Sequence, residues 1–128
     1  MGDAKGKPKM KEGMTVGRAL YEASRDGRDD EVDSLLKSGA PVDYQYWDGW
    51  QSIHVAAMKG HSEIVKRLII SSADVLKKDE YGETPHMIAL RRGNEETAEL
   101  INRAQREVLK KLAAEKEARK SRASKASV

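Results

Sequence analysis

The chain has 128 residues, of which 35% are charged and 38% hydrophobic, so it is long enough for one domain with a small core and a large solvated surface. It contains no cysteine, which excludes disulfides, a thiol nucleophile, and zinc or iron–sulfur sites held by cysteine. No apolar run reaches the roughly 20 residues of a membrane span, and no apolar segment typical of a signal peptide follows the N-terminus. These features predict a cytoplasmic protein without membrane contact.

The net charge of +3 is unevenly distributed along the chain. Residues 1–12 carry a net charge of +2 and residues 110–128 a net charge of +5, whereas residues 13–109 between them carry −4. We therefore expect a mildly acidic body with two basic arms, the first of which is a flexible N-terminal arm of residues 1–15. Basic arms indicate an acidic protein surface or a nucleic acid as partner.

A period of 33 residues runs through the body of the chain. Two sets of small residues recur at this spacing: Ala23, Ala56 and Ala89, and Gly27, Gly60 and Gly93. Apolar positions keep the same step, as at Val32 and Val65. Such a period indicates an array in which each unit buries its apolar face against its neighbours.

Each unit has the pattern of two helices joined by a glycine turn. In the middle unit SIHVAAMK (52–59) is a short helical run that Gly60 ends. HSEIVKRLII (61–70) begins the second helix, with Ser62 in the N-cap place and apolar residues at helical spacing. ADVLKKDEYGE (73–83) then has strand-and-turn character.

The segment DGWQSIHVAAMKGHSEIVKRLIISSADV (48–75) resembles an ankyrin repeat, whose pattern includes T-P-L-H-x-A-A-x-x-G-H. VGRALYEASRDG…VDSLLKSGAPVD (16–43) and EYGETPHMIALRRGN (80–94) resemble degenerate first and third repeats. The resemblance implies an all-α repeat fold, a solenoid of helix pairs with β-hairpin fingers, followed here by a long C-terminal helix. We place an ankyrin-repeat domain at residues 16–104, with repeats at about 16–48, 49–81 and 82–104.

Four of the six aromatic residues of the chain lie in the stretch YQYWDGW (44–50). The resemblance places this stretch in the finger between the first two repeats, with Asp48 and Gly49 at its tip, where Gly49 can supply a positive φ. We expect Trp47 and Trp50 to stand exposed as partner contacts, because aromatic rings supply much of the energy of protein interfaces. For the two tyrosines, cover of the neighbouring helix tops and display to a partner both stay open.

The same correspondence extends the predicted binding surface to the next fingertip, at Tyr81, and to the residue pairs that precede the turn glycines. The predicted partner-binding residues are Trp47, Asp48, Trp50, Met58, Lys59, Tyr81, Arg91 and Arg92. Arginines beside tryptophan favour an acidic or aromatic-bearing partner segment. The alternative is a solvated face that binds nothing.

Ser52, His54 and Asp48 have the residue types of a nucleophile, a base and an acid, but the start of a short helix offers neither a cleft nor an oxyanion loop. The resemblance implies instead that His54 and His61 tie together backbone groups of neighbouring repeats. Three dispersed histidines form no metal cluster, and no phosphate-binding loop is present. We predict a protein that is not an enzyme, without metal, cofactor or small-molecule substrate. The predicted structural residues are Gly49, His54, Gly60, His61, Gly82 and Gly93.

After Asn94 the sequence predicts a long helix, from about residue 95 to 120, because this stretch has no Gly or Pro and is rich in helix-forming residues. Glutamates precede arginines or lysines by four positions, as at Glu99 and Arg103. We assign residues 105–128 to a basic helical extension and tail, whose end RKSRASKASV is expected to be disordered alone. The basic tail residues are Lys110, Lys111, Lys116, Arg119, Lys120, Arg122 and Lys125.

Two functions fit the sequence. The first is a non-catalytic adaptor or subunit of a larger assembly, such as a cytoskeletal or ribonucleoprotein complex, which binds a protein through fingers and concave face and docks by its basic arms. In that case Trp50→Ala should weaken partner binding without lowering the melting temperature. The alternative is a nucleic-acid-associated or ribonucleoprotein-associated protein bound mainly through its basic termini. Both are expected in the cytoplasm, with cytoskeletal or nuclear association.

Overall fold

The computed structural model describes residues 14–46 and 48–126, so most of the predicted N-terminal arm, Trp47 and the last two residues lie outside it. The described residues form helices that follow one another in pairs. In chain order these are α1 (Met14–Asp26), α2 (Asp29–Lys37), α3 (Ser52–Lys59), α4 (Ser62–Ile70), α5 (Pro85–Arg91) and α6 (Glu95–Ala126). The expected all-α repeat architecture with a long C-terminal helix is confirmed.

Each helix pair turns at a glycine in the left-handed conformation. The backbone φ is +74° at Gly60, where a residue with a Cβ would be strained. The N–H of Gly60 donates to the carbonyl of Ala57 at 3.2 Å, and the N–H of His61 donates to the carbonyl of Ala56 at 3.0 Å. These bonds satisfy the last carbonyls of α3 and let α4 pack back against it.

The helix starts differ from the predicted capping. Ser62 is the first residue of α4, and the N-cap place belongs to His61, whose side chain makes no capping bond. The hydroxyl of Ser62 is bonded instead to the hydroxyl of Thr97 in α6, at 2.7 Å. The expected N-cap is therefore wrong, because the side chain bonds to a neighbouring unit. α5 does have a local cap, since Oγ1 of Thr84 accepts from the N–H of Met87.

The helix pairs stack into two layers. Helices α1, α3 and α5 pack side by side as the inner layer, and α2, α4 and α6 form the outer layer. Small residues such as Ala56 and Ala89 have no exposed surface and let the helices approach closely. Most of the remaining core is aliphatic, and each of its large, fully buried side chains contributes roughly 1.5–3 kcal/mol. Its large members are Leu20, Val32, Ile53, Ile64, Val65, Leu68, Ile88 and Ile101.

The loops between the helix pairs do not confirm the β-hairpin fingers, since the described residues contain no strand. In the first loop, which joins α2 to α3, the N–H of Tyr46 donates to the carbonyl of Trp50 at 2.8 Å. In the second loop, which joins α4 to α5, the N–H of Asp79 donates to the carbonyl of Glu83 at 2.9 Å. A single bond of this kind closes a turn but does not extend into a ladder. The loops are therefore tight turns at the positions where fingers were expected.

Helix α6 is longer than the sequence predicts. It has 32 residues and a length of about 48 Å at 1.5 Å per residue. Its first turns pack on α4 and α5, whereas every side chain described from 109 to 123 is exposed; residues 109–126 are termed the projecting segment. The expected disorder of the tail is wrong as far as Ala126, because no Gly or Pro interrupts the helix. The division of the chain at residue 104 stays a prediction.

Candidate functional site

The first loop is organised by its Asp–Gly turn. The N–H of Gly49, at φ +84°, donates to the carbonyl of Tyr46 at 2.8 Å. The carboxylate of Asp48 accepts a bond from the N–H of Trp50 at 3.0 Å. Asp48 thus holds the turn by bonding its own backbone two residues on. Trp47, between these residues, lies outside the described part of the chain.

Trp50 is partly buried rather than exposed. Its indole N–H donates to Oδ2 of Asp79 at 2.8 Å, and its ring stacks on His54 with the centroids 6.1 Å apart. The expectation of an indole standing in water is therefore wrong for Trp50. Because the side chain joins the first loop to the second, Trp50→Ala should lower the melting temperature as well. Its role as a partner contact stays a prediction.

Asp79 holds the second loop together. Its Oδ1 accepts the N–H groups of Tyr81 at 2.9 Å and Glu83 at 2.8 Å, while Oδ2 binds the indole of Trp50. Burial acts to raise the pKa of Asp79, but these donors outweigh burial and hold the pKa below its usual range. Asp79 thereby brings the predicted contacts Trp50 and Tyr81 close together. The sequence analysis did not single out Asp79, although the period of 33 residues makes it the equivalent of Tyr46 in the first loop.

The tyrosines of the first loop cover the first unit. The ring of Tyr46 stacks on that of Tyr21 at 4.4 Å and an angle of 4°, and the guanidinium of Arg18 lies 5.6 Å from the same ring of Tyr46. Tyr44 lies so close to Gly17 that a Cβ there would come within 2.7 Å of it. Burial raises the pKa of Tyr21 well above its ordinary value. Of the two alternatives, the structure favours cover of the neighbouring helix over display.

His54 links the middle unit to the loop that follows. It is fully buried; its Nδ1 accepts the N–H of Gln51 at 3.0 Å, and its Nε2 lies 2.9 Å from the carbonyl of Lys77. Because Nδ1 accepts, the proton of the neutral ring is on Nε2, which donates to Lys77. Burial lowers the pKa of His54, against the bond to the Lys77 carbonyl and the charge of Asp79, which both raise it.

His61 and Asn94 form equivalent contacts between units. Nε2 of His61 lies 3.1 Å from the carbonyl of Arg25 in α1. Nδ2 of Asn94 donates to the carbonyls of Ala57 at 3.0 Å and Met58 at 2.9 Å in α3. Each side chain follows the turn glycine of its own unit and caps the end of the preceding inner helix. The stack is thus held by polar bonds at its helix ends as well as by its apolar core.

The remaining predicted contacts lie on open surface. Tyr81 is 85% exposed at the tip of the second loop. Lys59 and Arg92 are exposed and form no ion pair with any residue that the structure describes. Arg91 instead binds the carboxylate of Glu83 through two bonds, of 2.7 and 3.0 Å. This pair joins the end of α5 to the loop that carries Tyr81. Met58, the last of the predicted contacts, is partly buried.

Ser52 and His54 do not form a nucleophile and base. Both are fully buried, and both ring nitrogens of His54 are bonded to backbone groups. A nucleophile must be reached by its substrate, and a base needs a lone pair to accept the proton. Within residues 14–46 and 48–126, no three metal-binding side chains converge and no helix has the length and apolar character to cross a membrane.

Stacked helix pairs with polar bonds between units define a helical repeat protein. The chain belongs to the ankyrin-repeat family, whose model of three repeat copies matches residues 20–112. The family resemblance of the sequence is thereby confirmed. Ankyrin repeats generally mediate protein–protein interaction and are typically non-catalytic.

Several curated proteins are similar to part of this chain. The mouse "Inactive serine/threonine-protein kinase TEX14" is 30% identical over 88 residues, which are 69% of this chain and 6% of the relative. The human "GA-binding protein subunit beta-2" is 39% identical over 56 residues, 44% of this chain and 12% of the relative. The human "Notch-regulated ankyrin repeat-containing protein" is 41% identical over 58 residues, 45% of this chain and 48% of the relative. The chain thus spans less than half the length of each of them.

Proposed function

We propose that the protein is a non-catalytic adaptor, or a subunit of a larger assembly, that binds a partner protein through its second loop and the adjoining end of α5. The observation that carries this proposal is Tyr81, an aromatic side chain 85% exposed on a loop whose backbone is held by Asp79. A ring presented in this way loses little conformational entropy when a partner covers it. A cytoplasmic setting, with cytoskeletal or nuclear association, is part of the proposal.

The charges around this surface favour an acidic partner segment. Arg92 and Lys59 are unpaired within the described residues, so a partner carboxylate gains a charge-assisted bond there without breaking another. At Arg91 the same carboxylate competes with Glu83. One relative is by its name a subunit of GA-binding protein, which supports a role within an assembly.

The test replaces Tyr81, because this side chain is too exposed to stabilise the fold. A partner isolated from native extract and then purified is titrated calorimetrically with the parent and with Tyr81→Ala. We expect Tyr81→Ala to weaken binding by about 2 kcal/mol, the loss typical of an interface anchor, at an unchanged melting temperature. The matched control is Ile70→Ala on α4, whose side chain is 80% exposed and should not affect binding. Equal affinity of Tyr81→Ala and parent would exclude this surface.

The projecting segment supports a second candidate function, nucleic-acid binding through the basic termini. The exposed basic residues there include Lys110, Lys111, Lys116, Arg119, Lys120 and Arg122. A helix of this charge would bind phosphates without reading sequence, and its affinity would fall steeply with salt. Removal of residues 110–128 separates the two functions. If it abolishes duplex binding and its salt dependence, measured by fluorescence anisotropy, while Tyr81→Ala has no effect, the second candidate replaces the first.

A further inference from the structure

Each of the first two units is covered by the unit that follows it, whereas no described residues cover the third unit in the same way. Residues 33 positions apart occupy the same place in successive units, so their exposure can be compared directly. Ser24 and Ala57 are both 0% exposed, but their equivalent Leu90 is 55% exposed. His54 is 0% exposed and its equivalent Met87 is 46% exposed. A place that is buried in every unit except the last is one that the following unit covers.

The turn glycines show the same difference. A Cβ on Gly27 would lie 2.9 Å from the ring of His61, and a Cβ on Gly60 would lie 3.0 Å from the side chain of Asn94. A Cβ on Gly93 would meet no described atom within 4 Å. The side chain that each following unit places on the end of α1 and α3 is therefore missing at the end of α5.

We propose that the open end, formed by Met87, Leu90 and Gly93, docks an α-helix of a partner protein. The side of this helix that meets Met87 and Leu90 is apolar, and the part that passes Arg91 and Arg92 is acidic. At the two interior junctions the equivalent places are covered by an inner helix, α3 on α1 and α5 on α3. A single helix laid against α5 reproduces a packing that the stack already uses twice.

The charge of the partner follows from the two arginines at the end of α5. Arg92 is exposed and has no ion pair with the described residues, and the side chain of Arg91 is 54% exposed despite its bond to Glu83. A docked helix that brought lysine or arginine here would meet like charges as the site loses water. One that brings glutamate or aspartate gains charge-assisted bonds.

Other segments of this chain do not match this requirement. Residues 1–12 carry a net charge of +2 and residues 110–128 a net charge of +5, so either would meet Arg91 and Arg92 with like charge. The projecting segment also continues α6 without a break and cannot turn back onto α5. The charge of both arms therefore argues against either of them as the occupant of the open end.

A second copy of the chain does not match either. Docked head to tail, it would bury the ion pair of Arg18 and Glu22, 2.9 Å apart, against Leu90 and desolvate both charges. Arg28, which takes the place of His61 and Asn94 in the first unit, would then lie over Gly93 and bring a third positive charge beside Arg91 and Arg92. Two open ends placed face to face would oppose the same arginines. An acidic helix from a different protein meets neither obstacle.

The test uses two synthetic helical peptides of about 20 residues, long enough to hold helical structure, with the same leucine stripe. One carries glutamate beside the stripe and the other lysine. Fluorescence anisotropy with the full chain should show tighter binding of the acidic peptide. Leu90→Gln should weaken that binding about tenfold, because the leucine loses its apolar contact. The matched control is Ile70→Gln, a change at a side chain 80% exposed on α4, which should bind as the parent does.

Charge and fold are controlled separately. Arg92→Gln should weaken the acidic peptide about threefold and reduce the effect of salt on its binding. Leu90→Gln should have the same melting temperature as the parent, since Leu90 is half exposed. If the glutamine variant unfolds, Leu90→Ala replaces it in the binding measurement.

Three results would overturn the inference. They are equal affinity for the two peptides, no binding of the acidic peptide up to about 1 mM, and unchanged affinity in the Leu90 variants. Sedimentation of the chain alone adds a fourth, since a dimer that Leu90→Gln dissociates would make a second copy the occupant. The inference shares with the proposed function a protein partner and the arginines at the end of α5, but it does not depend on Tyr81 or the second loop. Tyr81→Ala leaves the open end intact, so the two can fail separately.

Discussion

The two ends of the stack are built differently on the same repeat. Val55 in the second unit and Ile88 in the third occupy equivalent positions and are buried. The equivalent residue at the first end is Glu22, which forms an ion pair with Arg18. At the last end, the place of the buried Ala57 belongs to Leu90, which is 55% exposed. Terminal repeats of an array are expected to have a polar outer face. The first unit has such a face and the third does not, which identifies the third unit as the side where a further element can pack.

The largest loss of stability is expected when the acidic residue found at the first end is introduced at the equivalent buried position of the second unit. Val55→Glu should lower the free energy of unfolding by about 3 kcal/mol or more, because the new carboxylate would be buried without a partner. The reverse change, Glu22→Val, should leave stability near that of the parent, since solvent screens the Arg18–Glu22 pair. Urea unfolding of both variants measures the difference. Equal stabilities would show that the first two units are not tightly packed together.

A smaller effect is expected when the residues of the interior and the last end are exchanged. Ala57→Leu should cost about 1–3 kcal/mol of stability, because the added atoms have no room under the following unit. Leu90→Ala should cost less than about 1 kcal/mol, since the side chain is already half in water. Denaturant melts at several protein concentrations measure both. A large and concentration-dependent loss in Leu90→Ala would contradict the open end, because it would mean that a second copy covers it.

The turn glycines sharpen the comparison further. Gly60→Ala and Gly93→Ala both place a Cβ at positive φ, at a cost of about 1 kcal/mol each. Only Gly60→Ala adds a close contact, with Asn94 at 3.0 Å. We expect Gly60→Ala to lower the free energy of unfolding by about 1 kcal/mol more than Gly93→Ala does. Adding Asn94→Ala to the Gly60→Ala variant should reduce this difference, because the contact with Asn94 is removed. Thermal unfolding of Gly60→Ala, Gly93→Ala and the Gly60→Ala/Asn94→Ala double variant tests this. A gap of zero would mean that the junction adapts without strain.

The smallest effect is the pH dependence that His54 confers on an interior junction. Burial lowers its folded-state pKa below the ordinary value of 6.5, so below that pH the unfolded chain binds a proton that the folded chain does not. The stabilising effect of the neutral ring is therefore complete above about pH 6.5 and is lost as the pH falls toward the lowered pKa. Melting temperatures from pH 7.5 to 5 should fall less steeply in His54→Gln than in the parent. Parallel curves for the two proteins would contradict the burial effect.

Much of the fold could be predicted because the repeat is determined by residues that are close together in the sequence. A glycine such as Gly60 ends a helix through its own φ, and alanines such as Ala56 lie where helices must approach closely. These effects depend on residues near in sequence, or on the same place in the next unit. The period of 33 residues therefore sufficed to predict helix pairs, their turns and their stacking.

The candidate site was harder to predict, because its side chains bind partners that are distant in sequence. Trp50 was expected in water, but Asp79, 29 residues away, takes its indole N–H. Ser62 was expected to cap its own helix, but Thr97 of the following unit takes its hydroxyl. In each case the side chain could have been exposed or bonded locally, but it forms a hydrogen bond with a residue of a neighbouring unit instead.

The sequence by itself determined the helix pairs, the glycine turns and the uneven charge of this protein, because each follows from residues close together in the chain. Only the tertiary structure decided which apolar side chains are buried. Leu90 lies at the same place in the repeat as Ala57, yet it is exposed because no further unit among the described residues packs on it. Whether a side chain is buried depends on the unit that packs against it and not on its own residue type. The first end of the array therefore has a charged surface, and the last end exposes apolar side chains.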